Sequence, residues 1–194
     1  MKKRILAIAV VMICLSILAS VTLAYYTDSA IARNVITSGG IDIEVVEQQK
    51  VGDTLKPWVD PEIPVMPSQT VSKIVSVENK QQTAWIRASY TLTVFDADKK
   101  VMDIPEDELK QVIIITPDST NWTEKDGWWY CNKAAGTGEV TAPLFKEVTF
   151  SGPNMDNKYQ GCTVVIEVEA QAVQKANNKE TVLEAAGWPA PPAV

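Results

Sequence analysis

The chain has 194 residues, with 24 acidic against 18 basic side chains and a formal net charge of −6. That balance disfavours a nucleic-acid or anionic-membrane binder, which needs basic patches. The sequence contains no histidine, which removes Ser-His-Asp and Cys-His catalysis and His-ligated zinc sites, HExxH included.

Taken in order, Lys2-Lys3-Arg4 leads into an apolar run from Ile5 to Leu18 and then a small-residue stretch ending Thr22-Leu23-Ala24. This is the layout of a secretory signal peptide, with cleavage expected between Ala24 and Tyr25. Ile5 to Ala24 also has the length of a bilayer-spanning helix, so a retained anchor is the competing reading. Ser16, Ser20 and Thr22 suit a cleavage region better than a span. Removal of residues 1–24 leaves 194 − 24 = 170 residues and takes three positive charges, moving the net charge from −6 to −9. A chain of that size can bury the core of one domain.

The remainder reads as β-rich. Ile41-Asp42-Ile43-Glu44-Val45 alternates apolar and acidic residues, the period of a half-buried strand. Gly52 to Pro67 holds Pro57, Pro61, Pro64 and Pro67, and so reads as an extended connection rather than a central strand. Val71 to Glu78 is rich in β-branched residues and predicts a strand. Ala84 to Phe95 predicts a long one, with Ile86, Ala88, Tyr90, Leu92 and Val94 on one face and Trp85, Arg87, Ser89, Thr91 and Thr93 on the other. Pro105 to Lys110 suits one helical turn. Strands follow at Val112 to Thr116, Trp128 to Asn132 after the Lys125-Asp126-Gly127 turn, and Phe145 to Phe150. Thr163 to Val173 alternates with Val164, Ile166, Val168, Ala170 and Ala172 inward and Glu167, Glu169 and Gln171 outward. Glu180 to Ala186 predicts a short helix stopped by Gly187, ahead of a Pro-rich tail. Seven or more strands at short spacing argue for an all-β antiparallel sandwich, of jelly-roll or immunoglobulin-like topology.

Three constellations carry candidate chemistry. Cys131 and Cys162 are an even pair once Cys14 leaves with the signal, and in an oxidising exterior they are a candidate disulfide. Such a bond would close a loop of about thirty residues and add roughly 3 kcal/mol; two buried thiols are the alternative. Trp122, Trp128, Trp129 and Tyr130 form an aromatic cluster. It is read either as a stacking surface for glycan or protein or, with more weight, as hairpin side chains that fill the core. Asp96, Asp98, Asp103, Glu106, Asp107 and Glu108 are oxygen-rich but lack the spacing of a calcium loop and read as solvated. Asn121-Trp122-Thr123 matches the glycosylation pattern, a short motif frequent by chance. No catalytic, cofactor-binding or metal-ligating residue is expected.

Two separated blocks carry a resemblance. The signal with Ala24-Tyr25-Tyr26-Thr27-Asp28-Ser29, followed by Asn34-Val35-Ile36-Thr37-Ser38-Gly39-Gly40-Ile41-Asp42-Ile43, resembles the N-termini of TasA and camelysin-like proteins. Those are Gram-positive exported proteins cleaved by the signal peptidase SipW. Trp128-Trp129-Tyr130, Ala142-Pro143-Leu144-Phe145, Tyr159-Gln160-Gly161 and Glu169 to Gln174 look like the clostridial exported proteins with this signal type. The resemblance implies a jelly-roll-like sandwich in an extracellular surface or biofilm-matrix fibre protein that has SipW for a processing partner. It further implies self-association or contact with other matrix proteins, and a membrane association confined to the precursor. It implies that Tyr25 to Ser38 is a donor strand for the next subunit, with Ile31, Val35 and Ile36 as its apolar side chains. A strand folded back into its own domain is the alternative. The metallopeptidase label of some camelysin-like proteins does not transfer to a chain without histidine. The expected division is 1–24 signal, 25–39 N-terminal strand, 40–188 sandwich and 189–194 tail. The competing class is a monomeric surface binding module using the Trp122–Tyr130 hairpin.

Overall fold

The computed structural model describes residues 40–59 and 63–189, and the backbone of 33–34. All of these belong to the unit Ala32–Val194. The signal segment, the helix expected of it and the cleavage pair Ala24 and Tyr25 lie outside the described residues.

The described residues form twelve strands: β1 (Arg33–Asn34), β2 (Ile43–Val51), β3 (Thr54–Pro57), β4 (Ile63–Pro64), β5 (Thr70–Asn79), β6 (Ala84–Phe95), β7 (Ile113–Ile115), β8 (Trp122–Lys125), β9 (Trp128–Cys131), β10 (Glu139–Val140), β11 (Phe145–Phe150) and β12 (Thr163–Gln174), the longest of them built on alternating apolar and polar side chains. They form two six-stranded sheets. The first has the order β1-β12-β6-β9-β8, with β4 also on β12; the second has the order β3-β2-β5-β11-β7, with β10 on β5. All pairings are antiparallel except β1 with β12. The protein is therefore the all-β sandwich that its patterning predicts.

The inward faces meet in one apolar core. Val75 and Val77 of β5, Ile86 and Val94 of β6, Val148 and Phe150 of β11, and Val164 to Ala172 at alternate positions of β12 form its centre. Tyr90 and Phe145 bridge the sheets edge-to-face, with ring centroids 5.6 Å apart. Asn79 is buried at the β5–β6 turn, where its amide donates to the carbonyls of Gln82 and Ala135, each at 2.8 Å. Asp126 and Gly127 both adopt positive φ, 53° and 77°, as a two-residue hairpin between β8 and β9 requires.

Several expectations are corrected in detail. The proline-rich connection contains β3 and β4, but both run along sheet edges rather than through a sheet centre. The single helical turn extends as α1 (Glu106–Val112), which takes Val112 from the following strand. Glu180 to Ala186 forms only a 3-10 turn at Val182–Glu184. There the Asn178 side chain accepts from the Ala186 N–H at 2.9 Å and donates to the Ala186 carbonyl at 3.0 Å. That closes the segment as a loop.

Candidate functional site

Sheet edges are where an extended partner can add, because their outer backbone groups are unpaired. Ladder parity identifies which residues face outward on each edge. On β12, Lys175 N–H donates to Thr83 O one step beyond the Gln174–Ala84 pair, and Cys162 O accepts from Val65 N–H on the opposite side. The odd-numbered residues of β12 therefore bond to β6, and the even-numbered ones from Val164 to Gln174 face the outer edge.

The other three edges are short, and on each an outward donor is missing or already engaged. On β3, Trp58 N–H bonds Glu47 O, which turns Pro57 outward and deprives the edge of a donor at the strand's end. On β8, Asn132 N–H bonds Asn121 O, leaving Trp122 and Glu124 outward, and the Trp122 N–H is already held by Asp118 O. On β7, Ser151 N–H bonds Val112 O, leaving Ile113 and Ile115 outward, and the Ile113 N–H bonds Leu109 O. Among the described residues, β12 alone offers a long outer edge without proline.

That edge is partly occupied. β4 pairs antiparallel with Thr163 and Val164 at one end, and β1 pairs in parallel with Glu169 and Ala170 further along. β1 also runs beside β2 of the opposite sheet. Arg33 and Asn34 fall within the predicted donor strand, whose residues Tyr25, Ile31, Val35 and Ile36 lie outside the described residues. A parallel partner 136 positions away, 169 − 33, is reached without a tight turn and is held by edge pairing.

The four aromatic residues do not share one surface. Trp122 is 1% exposed, faces the core and donates through Nε1 to Ala142 O at 3.0 Å. Trp129 packs against the same core. Trp128 and Tyr130 point to the other face of the first sheet, where the C-terminal segment covers them along with Trp85 and Val173. Arg87 sits among them, its Nε and Nη2 donating to Gln171 Oε1 at 3.0 and 2.6 Å. Gln171 Nε2 in turn donates to Glu169 Oε1 at 2.8 Å. Arg87, Gln171 and Trp85 read as solvent-facing by parity. The clue to their burial was a tryptophan on the polar face of β6 and a late apolar stretch, Val182 to Trp188, available to cover it.

The Cys131–Cys162 disulfide is corrected: both thiols are free and buried. Continuing the β6 register places Cys131 beside Ile86 and Cys162 beside Asp96. Ten residues of strand separate those positions by about 33 Å, whereas bridged Cα atoms lie within about 7 Å. Burial pushes both thiols above their ordinary range.

The acidic residues are engaged locally. Asp96 Oδ1 accepts from the N–H groups of Asp98 and Lys100 to hold a turn. Glu108 bonds Lys158 and accepts from the Tyr159 hydroxyl at 2.5 Å, tying α1 to the Asn157–Tyr159 turn. Lys158, then Tyr159, hold its carboxyl below the ordinary carboxylate range. Among the described residues no three Cys, Asp or Glu side chains converge as metal ligands. Lys73 is buried against Glu47 at 2.8 Å, with its ammonium 4.6 Å from the Trp58 ring centre. Burial lowers its proton affinity, against the raising effect of Glu47.

No protein-family model matches the chain, and no curated protein matches it.

Proposed function

We propose that the chain is a non-enzymatic structural protein of the cell surface or biofilm matrix, exported and cleaved after Ala24 by a SipW-type peptidase. Its subunits join by donor-strand exchange onto the outer edge of β12. The observation that carries this reading is the parallel pairing of Arg33–Asn34 with Glu169–Ala170 on the long, proline-free outer edge of β12. That edge receives Arg33–Asn34 in cis. The same strand of a neighbour would meet the same backbone groups and the same small side chains, Ala170 and Ala172. Head-to-tail exchange of this kind need not close on itself, and an addition that does not close gives filaments. Cleavage is the trigger, because a strand tethered to a membrane-bound segment is not free to enter another subunit.

Electron microscopy and sedimentation of protein starting at Tyr25 test the reading. Concentration-dependent filaments are expected, and they should vanish when residues 25–38 are deleted. N-terminal sequencing of the secreted form should begin at Tyr25. Monomer under all conditions, or filaments that survive the deletion, would overturn it.

A further inference from the structure

The outer face of the first sheet carries a second apolar cluster that strand exchange does not use. Trp85, Tyr130, Val173, Val182 and Ala185 are buried there, ringed by Trp128, Ala134 and Trp188. At its centre lies Arg87, 8% exposed, its guanidinium carbon 4.3 Å from the Trp128 ring centre and 4.7 Å from that of Trp188. Nη1 donates to the Tyr130 hydroxyl at 3.1 Å and Nη2 to Pro189 O at 3.1 Å, beside the two bonds to Gln171. Among the described residues no carboxylate pairs with it. A withdrawn cation needs compensation, and here neutral acceptors and two indole faces supply it.

Two walls of this cradle come from the C-terminal segment. The preceding loop is closed on itself by Asn178 and fastened to the sheet by a bond from Trp85 Nε1 to Lys179 O at 3.0 Å. Gly187 follows with φ +87° and open space beside its Cα, a joint between that loop and Trp188. Beyond the joint, the described residues meet the face through the Trp188 ring and the Pro189 carbonyl. The Trp188 ring stands edge-on to Tyr130, with centroids 5.6 Å apart. Proline has no N–H, so its carbonyl is the main-chain group a receptor can read. Aromatic walls with a donor aimed at such a carbonyl are the means by which proline-containing segments are recognised.

We propose that Arg87, Trp128 and Tyr130 form a recognition site for a Trp-Pro segment, filled in cis by Trp188–Pro189 and open to the same segment of a second copy. A second copy carries the identical ligand on the identical joint. The tethered segment has an effective concentration on the order of millimolar, so exchange between copies is confined to dense arrays of the protein. This site lies on the outer face of the first sheet rather than along the β12 edge.

The test uses the full chain carrying Trp188→Ala, which vacates the cradle, and a labelled peptide spanning residues 187–194 as probe. Fluorescence anisotropy should show saturable binding to W188A and at least about tenfold weaker binding to wild type, whose own segment competes. Adding Trp128→Ala or Arg87→Lys to W188A should weaken binding at least about tenfold. A folded W188A chain that does not bind, or binding indifferent to both second changes, overturns the proposal. Should W188A fail to fold, the wild-type chain serves. Excess peptide must then shift the Trp188 indole resonance to its undocked position, and an unmoved resonance overturns the proposal.

Discussion

Proline placed at adjacent positions of β12 should have opposite consequences. Val168 is even-numbered and turns its N–H to the outer edge, whereas Glu169 pairs with Ser89 and turns its N–H into the β6 ladder. Val168→Pro therefore removes no bond to β6. Its side chain is buried, and the change removes about one methyl's worth of packing, roughly 1 kcal/mol. Glu169→Pro deletes a ladder bond in mid-strand and sets the ring against the neighbouring backbone, costing about 3 kcal/mol or more. Urea unfolding should rank the two accordingly, with V168P close to wild type and E169P far below it. Polymerisation should separate them in another way: V168P stays folded yet loses filament growth, because the donor meets a missing N–H at the middle of the acceptor edge. If V168P assembles at the wild-type rate, β12 is not the acceptor. If V168P unfolds as readily as E169P, the parity assignment is wrong.

Two further perturbations probe the domain itself. Lys73 is 3% exposed and Glu47 26%, so Glu47→Gln strands a buried ammonium and should cost about 3 kcal/mol in chemical denaturation, while Lys73→Met should be neutral or stabilising. The Glu108 carboxyl is held below its ordinary value of 4.5, first by Lys158 and then by Tyr159. A lowered acid contributes stability that is complete above 4.5 and lost as pH falls through the lowered value. Melting temperatures of wild type and Glu108→Gln should accordingly converge as pH is brought below 4.5, with the gap widest at neutral pH.

Strand patterning carried most of the fold. Thr163 to Val173 and Ala84 to Phe95 show the period-2 alternation of a half-buried strand, and both form along their predicted lengths. Side-chain parity is a local property, so it reports which face a residue takes but not what later covers that face. Arg87 and Gln171 stand on the polar face and are nonetheless buried, because the C-terminal segment returns over them. The cysteines illustrate the same limit. Both fall next to β6, but at opposite ends of a twelve-residue strand, and only the register reveals the separation. Likewise Pro57 marks an edge in the sequence, while the loss of an outward donor on that edge follows from which way its nitrogen faces.

Cross-linking between two different chains tests strand exchange most directly. Asn34 and Ala170 are register partners, so one preparation carries Asn34→Cys, a second Ala170→Cys, and the two are mixed, allowed to assemble and oxidised. Exchange predicts a covalent heterodimer joined through positions 34 and 170, identified by mass spectrometry of the linked peptides. A cross-link that forms only when both cysteines sit in one chain, and never between the mixed chains, would leave the strand in its own domain and contradict the account.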